Sequence, residues 1–238
     1  MGLWFAAAFL AYLVKGMSGF GNTLVFTSVL SFSTGNIEIT PVDLLLGFPP
    51  NVIMAVRGRR RLEKRTVLRL SAMLLVGDLL GALILKNVNV TAVRVIFGLA
   101  VIAVAVDMLV RMYRPAQRDF GTTAATLVGI LSGVMSGMFG VGAMMAAYIG
   151  RRTTDAETMK ATVSAVFTAD NIFRLGLYLF MGILDRNALA QALMLLPVAL
   201  AGLYLGLYMS RLFDERRTRL MVILLLIVSG AALILQSI

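Results

Sequence analysis

Cysteine and histidine are both absent from the 238-residue chain, and only 14% of its residues carry charge. Without cysteine there are no disulfides, no thiolate metal sites and no cysteine nucleophile. Without histidine, a proton relay has to run through Asp, Glu or Lys. The chain also lacks the HExxH, P-loop and serine-triad signatures. We therefore expect no enzyme, no metal site and no cofactor.

Apolar residues are what the chain has in abundance, at 59% of the sequence. They occur in long runs, each near the roughly 20 residues that a helix needs to cross the hydrocarbon core of a membrane. The sequence predicts an all-α integral membrane protein. Two segments are interrupted by glycines (2–32 and 122–150), and six uninterrupted spans are expected at 40–56, 66–86, 92–112, 157–181, 188–210 and 218–237.

The basic residues give a net charge of +10, but they sit in short clusters between the apolar runs. This is the pattern of loops on the cytoplasmic side of a membrane, so we expect no nucleic-acid partner. The densest cluster, at 57–65, is most simply a topology signal and a contact for anionic lipid headgroups.

An internal repeat divides the chain into residues 1–112 and 122–238, joined by a linker at 113–121. GMSGFGN at 16–22 aligns with GMFGVGA at 137–143, an offset of 121. Asn51 and Asn171 match at an offset of 120, and the apolar runs from Met73 and Met194 match at 121. Such duplications are common in transporters.

Loop charge favours a re-entrant path for both broken segments, in which each dips into the membrane and returns to the same side. That topology puts fifteen basic loop residues inside and two outside, whereas full crossings give ten and seven. Re-entrant segments leave three crossings per half, so the halves would be inverted repeats. Long, tilted and kinked crossings stay open as the alternative.

The paired glycine breaks are the main candidates for a binding site. Glycine costs about 1 kcal/mol in a helix interior, so clustered glycines favour unwinding. A half-helix that begins after the break offers free N–H groups and a partial positive charge, which suit an anion. Glycines at helix crossings are the packing alternative. The candidate residues at the breaks are Ser18, Gly19, Gly21, Asn22 and Thr23 in the first half, and Gly140 and Gly142 in the second.

Polar residues inside the spans complete the candidate substrate site. Asn51 and Asn171 occupy matching repeat positions and either face one cavity or bond between helices. Lys15 either attracts an anion or extends to the interface. Arg174 either contacts the substrate or neutralises Asp170, four residues earlier on the same helix.

Carboxylates within the spans are the candidates for proton coupling, because charges at membrane depth tend to mark pathways. Asp78 is the first candidate because it lies mid-span in VGDLLG, and Asp170 is the second. Asp43 and Lys160 are expected near the membrane interfaces.

The duplicated four-segment unit, the glycine motif in the first segment of each half and the Arg-led final helices resemble the TauE/SafE sulfite-exporter family over essentially the whole chain. The family's Gly-x-Gly-Gly-Gly type run is replaced here by GFGN at 19–22 and GVGA at 140–143. The resemblance implies a multipass permease of the bacterial inner membrane. It would move sulfite, sulfonates or related small anions and draw on an ion gradient.

The function expected from the sequence is thus a secondary-active permease for a small anion, working by alternating access with ion or proton coupling. An anion channel would use the same dipoles without coupling, and a membrane-embedded accessory protein would bind no anion. The substrate, the direction of transport and a possible homodimer are left open by the sequence.

Overall fold

The computed structural model describes residues 1–30, 36–62, 64–85, 90–113, 122–139, 142–153 and 155–212, and single helical positions between 216 and 235. Within these ranges the chain is helical and has no strand. Nearly all of the linker at 113–121, and Gly140, lie outside the described residues. The span expected at 218–237 is described only in part.

Nine α-helices, in the described residues up to position 212, form the bundle. They are α1 (Gly2–Ser18), α2 (Asn22–Leu30), α3 (Asn36–Arg57), α4 (Lys64–Leu85), α5 (Val90–Tyr113), α6 (Thr122–Phe139), α7 (Ala143–Arg152), α8 (Ala156–Phe180) and α9 (Arg186–Leu212). A short 3₁₀ turn at Arg59–Arg61 joins α3 to α4.

Both broken segments are interrupted at the glycine motifs, as the sequence predicts. Helix α1 ends at Ser18, and Gly19 and Gly21 follow with φ of 90° and 86°, a left-handed backbone that glycine adopts without steric cost. In the second half α6 ends at Phe139 and α7 begins at Ala143. In each half the two pieces pack against each other.

Close backbone contacts at glycines join α1 to α9 and α4 to α6, and we call these two contacts the glycine seams. A Cβ on Gly77 would overlap the Ile130 carbonyl, and one on Gly202 would overlap the Phe9 carbonyl. The backbone contacts of Gly81 with Val134 and of Gly206 with Leu13 repeat this relation. The contacted residues on α1 and α6, Phe9 and Ile130, are 121 positions apart, the offset expected from the glycine motifs. The glycines that contact them, Gly77 on α4 and Gly202 on α9, are 125 positions apart, whereas the apolar runs gave an expectation of 121.

Helices α3 and α8 cross the centre of the bundle side by side and run antiparallel. Gly58, at the end of α3, lies against Ala161 near the start of α8, whereas Gly47 lies near Asn171 much further along. Asp155 caps the start of α8, where its side chain accepts a hydrogen bond from the Thr158 N–H at 2.8 Å.

The outer surface carries large apolar side chains that a water-soluble fold would bury. Leu68 is 74% exposed and Phe180 is 92% exposed. Among the described residues, α8, α9 and residues 38–57 of α3 are long and apolar enough to cross a membrane. The chain is therefore a helical membrane protein, as its composition predicts.

Replacing Gly16 with Ala tests the α1–α9 seam. The new Cβ would overlap the backbone of Leu203 and Leu207, which cannot rotate away, so we expect a loss of about 1–3 kcal/mol of stability. Gly176→Ala is the matched control. A Cβ there meets nothing within 4 Å, and alanine favours a helix by up to about 1 kcal/mol. Thermal unfolding in detergent measures both, and equal midpoints would contradict the seam.

Candidate functional site

A cavity lies where the two helix breaks meet α3 and α8. It leaves about 30 Å³ for the centres of water-sized molecules, roughly twice what one water needs. Its lining residues come from both halves: Lys15, Phe20, Gly21, Asn22, Thr23, Leu24, Asp43, Leu44, Gly47 and Asn51 from the first, and Ser136, Gly142, Phe167, Asp170, Asn171 and Arg174 from the second.

Lys15 anchors a polar network on the first-half side of the cavity. Its side chain is only 1% exposed, and Nζ donates to Asn22 Oδ1 at 3.0 Å. The Asn22 amide donates at 3.4 Å to Asp43 Oδ1, and the Thr23 hydroxyl donates to Asp43 Oδ2 at 2.5 Å. The break brings these groups together, since Lys15 precedes it and Asn22 opens the next helix.

Arg174 is the second buried cation of the cavity. One of its Nη atoms donates to the Tyr178 hydroxyl at 2.9 Å, and the other lies 3.9 Å from Asp170 Oδ2. At that distance Arg174 and Asp170 form an ion pair, but the two atoms are too far apart for a hydrogen bond. Within the described part of the chain, Arg174 Nε has no acceptor. The guanidinium therefore keeps hydrogen-bonding capacity at the cavity.

Asp170 faces the cavity opposite the first-half network. The Ser136 hydroxyl, from α6, is 3.1 Å from one carboxylate oxygen and 3.3 Å from the other. A hydroxyl has one proton to donate, so Ser136 satisfies only one of the roughly four acceptor positions of the carboxylate.

Asn51 and Asn171 line the cavity from the antiparallel helices α3 and α8. Gly47 of α3 lies beside Asn171, since a Cβ there would stand in ordinary contact with Asn171 Nδ2, at 3.5 Å. No donor among the described residues reaches Asn51 Oδ1, although the side chain is only 3% exposed. Pro49 and Pro50, just before Asn51, remove two backbone donors from α3.

Most of the substrate-site residues predicted from the sequence are brought together on the cavity wall. These are Lys15, Gly21, Asn22, Thr23, Asn51, Gly142, Asn171 and Arg174, together with Asp170, which was expected to carry protons.

Ser18 and Gly19 lie off the wall. The Ser18 hydroxyl is 2.8 Å from the Val14 carbonyl and accepts from the Phe20 N–H, so it supports the turn itself. Gly19 packs against Lys160, and Gly140 lies outside the described residues.

Asp78 lies on α4, behind the cavity rather than on its wall. The side chain is fully buried, and neither carboxylate oxygen has a donor among the described residues. It interacts electrostatically with Asp170 and Arg174.

Asp43 and Ser136 belong to the cavity wall but were not predicted there. From the sequence Asp43 was expected only near a membrane interface; in the structure it is 6% exposed and accepts hydrogen bonds from Asn22 and Thr23. The sequence did contain a signal for Asp43, since an acidic residue within an apolar span often marks a functional site. Ser136 matches Lys15 at an offset of 121, so extending the glycine alignment by one residue would have found it.

Lys160 caps the first break instead of lining the cavity. Its Nζ donates to the Gly16 carbonyl at 3.2 Å, at the negative end of α1. Within the described ranges no group of three or more Asp or Glu side chains is placed to hold a metal ion.

A helical membrane bundle that buries two cations and two carboxylates where two helices are interrupted has the architecture of a membrane transporter. The family model described as sulfite exporter TauE/SafE matches residues 4–233. The chain therefore belongs to this family, which consists of membrane transporters of sulfur-containing anions rather than of enzymes. No curated protein and no solved structure matches the chain.

Proposed function

We propose that the protein is a secondary-active permease for a small anion, either sulfite, a sulfonate or another sulfur-containing or organic anion. It works by alternating access in the inner membrane of a bacterium. The observation that carries the proposal is the cavity between the two helix breaks, in which Lys15 and Arg174 are buried.

The N-termini of α2 and α7 support an anionic ligand. The first hydrogen bonds of these helices run from Val25 to Gly21 and from Ala146 to Gly142, so the N–H groups between have no partner within their own helix. No side chain caps α7 at Gly142. Together with the positive end of the helix dipole, such groups favour an anion.

The cations on the cavity wall also support an anionic ligand. An unpaired anion in hydrocarbon costs many kcal/mol, so it has to meet cations or N–H dipoles. Lys15 and Arg174 are the two cations on the wall. The cavity has room for only about two water molecules, which suits an anion of few atoms better than a long organic one.

Asp78 is the proton carrier in this mechanism. A buried carboxylate without a hydrogen-bond donor is costly when ionised, and a proton on Asp78 removes that cost. Its electrostatic interaction with Asp170 links such a proton to the cavity wall. Asp170, between Asp78 and the ligand, is the second member of the relay.

The antiparallel arrangement of α3 and α8 supports the inverted repeat. Equivalent helices of two halves run antiparallel when each half crosses the membrane an odd number of times, because the two-fold axis then lies in the membrane plane. They run parallel when each half crosses an even number of times. Arg61, after α3, pairs with Asp155, before α8, at 3.1 Å. That contact supports the re-entrant topology, which puts both loops on one face, over full crossings, which put them on opposite faces.

The basic cluster at 57–65 is the proposed contact for anionic lipid headgroups. Arg59, Arg60 and Arg61 form an exposed turn with no buried residue. Each basic residue near an anionic surface is worth about 1 kcal/mol. A homodimer, left open by the sequence, stays an open alternative.

Vesicles that contain the reconstituted protein and are preloaded with unlabelled sulfite should transiently accumulate labelled sulfite against its own gradient. A channel would carry the anion but would show no such counterflow, so this measurement separates the two functions. Asn171→Ala removes an amide from the cavity wall and should lower uptake about tenfold or more. The exposed Asn187→Ala is the matched control and should transport normally. Equal uptake by both variants would contradict the site.

Asp78→Asn should lose the effect of an imposed pH gradient while keeping sulfite exchange, because an amide is close in shape to the carboxylate but carries no titratable proton. Exchange of labelled sulfite at equal pH provides the second readout. Asp185→Asn, in the exposed loop before α9, is the control. Full accumulation by Asp78→Asn would exclude this residue as the carrier.

Single cysteines read the topology without background, because the chain has no cysteine. We expect an impermeant maleimide to label positions 61 and 157 from the same face of the membrane, and position 186 from the other. Full crossings predict instead that 61 and 186 share a face. The side chains of Arg61, Glu157 and Arg186 are exposed, so each position is open to the reagent.

A further inference from the structure

One wall of the cavity has more hydrogen-bond acceptors than donors. Asp170 is 3% exposed, the Ser136 hydroxyl donates to it, and the nearest Arg174 nitrogen is 3.9 Å away. Asp78 lies within hydrogen-bonding reach of Asp170 and donates to it only when Asp78 carries a proton. An ionised carboxylate accepts about four hydrogen bonds. Even with both donors, about half of the acceptor capacity of this buried carboxylate is unused.

Asn51 adds a second acceptor to this wall. Its Oδ1 is buried and has no donor in the part of the chain that the structure describes. Buried polar atoms in proteins are nearly always paired, and an unpaired one costs free energy. A ligand with hydrogen-bond donors would remove that cost at both Asp170 and Asn51.

Donors are found elsewhere around the same cavity. They are the N–H groups that begin α2 and α7, and Arg174 Nε, which has no acceptor among the described residues. The wall also carries two cations and two carboxylates, so a doubly charged anion would meet repulsion from Asp43 and Asp170. The cavity is thus complementary to a ligand that both accepts and donates hydrogen bonds.

We propose that the preferred substrate is a small oxyanion that still carries one hydroxyl proton, such as hydrogen sulfite, and that Asp170 accepts the hydrogen bond from that hydroxyl. This inference rests on the proposed anion site and narrows its substrate class. The unprotonated oxygens of the ligand face the helix N-termini and Arg174, and its hydroxyl faces Asp170 and Asn51. Asp170 is then the residue that determines specificity.

Fully ionised sulfate and methanesulfonate are the informative competitors. Sulfate has the tetrahedral oxygens of a sulfur oxyanion but no proton to donate, and it brings a second negative charge next to Asp170. Methanesulfonate has a single charge, as hydrogen sulfite does, but no hydroxyl. The pair separates the effect of charge from that of the proton.

Other titratable groups around Asp170 also change protonation with pH, and their effect has to be separated from that of the proton on the ligand. Arg174 lies on the same helix, Asp78 comes from α4, and Lys15 and Asp43 lie across the cavity. Their protonation changes with pH in the same way for every ligand. Comparing ligands with one another at each pH therefore isolates the proton on the ligand.

The test measures binding of sulfite, sulfate and methanesulfonate to purified protein by calorimetry and thermal shift, from mildly acidic to mildly alkaline pH. We expect sulfite to bind at least about tenfold more tightly than either competitor at acidic pH, the usual effect of a hydrogen bond to a charged group. This advantage should shrink as sulfite loses its proton. Competitors that bind as tightly as sulfite would overturn the inference while leaving an anion site. Absence of binding by all three would overturn the proposed function with it.

Asp170→Asn adds a test of the residue itself. The amide has no negative charge and brings N–H donors, so sulfate should gain affinity relative to sulfite, and the tenfold preference should disappear. Asp185→Asn, the same change outside the cavity, should keep the preference. An unchanged preference in Asp170→Asn would overturn the role of this residue. The wild-type comparison decides the substrate class even where this variant does not fold.

Discussion

Interrupting a helix inside a membrane exposes backbone groups that must find partners, and this constraint governs the whole site. At the first break the Gly16 carbonyl accepts a hydrogen bond from the ammonium of Lys160, and Ser18 supports the turn. The N-terminus of α2 is left facing the cavity, where Lys15 and Asn22 are paired. The glycines thus create the polar cavity, because they remove helical hydrogen bonds at a place where water cannot easily replace them.

The two proposed halves have their helix breaks and glycine contacts at matching positions, but the side chains around the cavity differ. Lys15 in the first half corresponds to Ser136 in the second, and Arg174 corresponds to Met54 in the first. Each half therefore contributes one cation, at a different repeat position. The glycine seams between α1 and α9 and between α4 and α6 preserve these matching contacts, because close backbone contact tolerates no side chain there.

The sequence was sufficient for features that depend on local pattern. Apolar runs predicted the helices, and the glycine motifs predicted both breaks, since each effect acts within a few residues. The cavity wall was predicted as far as the repeat could show it, as for Asn51 and Asn171. Asp43 was missed because its repeat counterpart is Val163 and its partners, Asn22 and Thr23, are brought to it only by folding. The offset of 125 residues between α4 and α9 could be found only from the contacts in the structure, because apolar runs align equally well in several registers.

A carrier that alternates between two faces has to be stable when empty as well as when loaded. In this structure each buried cation already has internal partners, Asn22 for Lys15, and Asp170 and Tyr178 for Arg174. Leaving such a charge unpaired in a protein interior costs several kcal/mol, which would trap the empty carrier or open it to water. Under the proposed function the substrate has to compete with these partners. Under that function the wall carboxylates weaken the binding of a fully ionised anion, but they keep the cations neutralised in the unloaded protein, so that it can return.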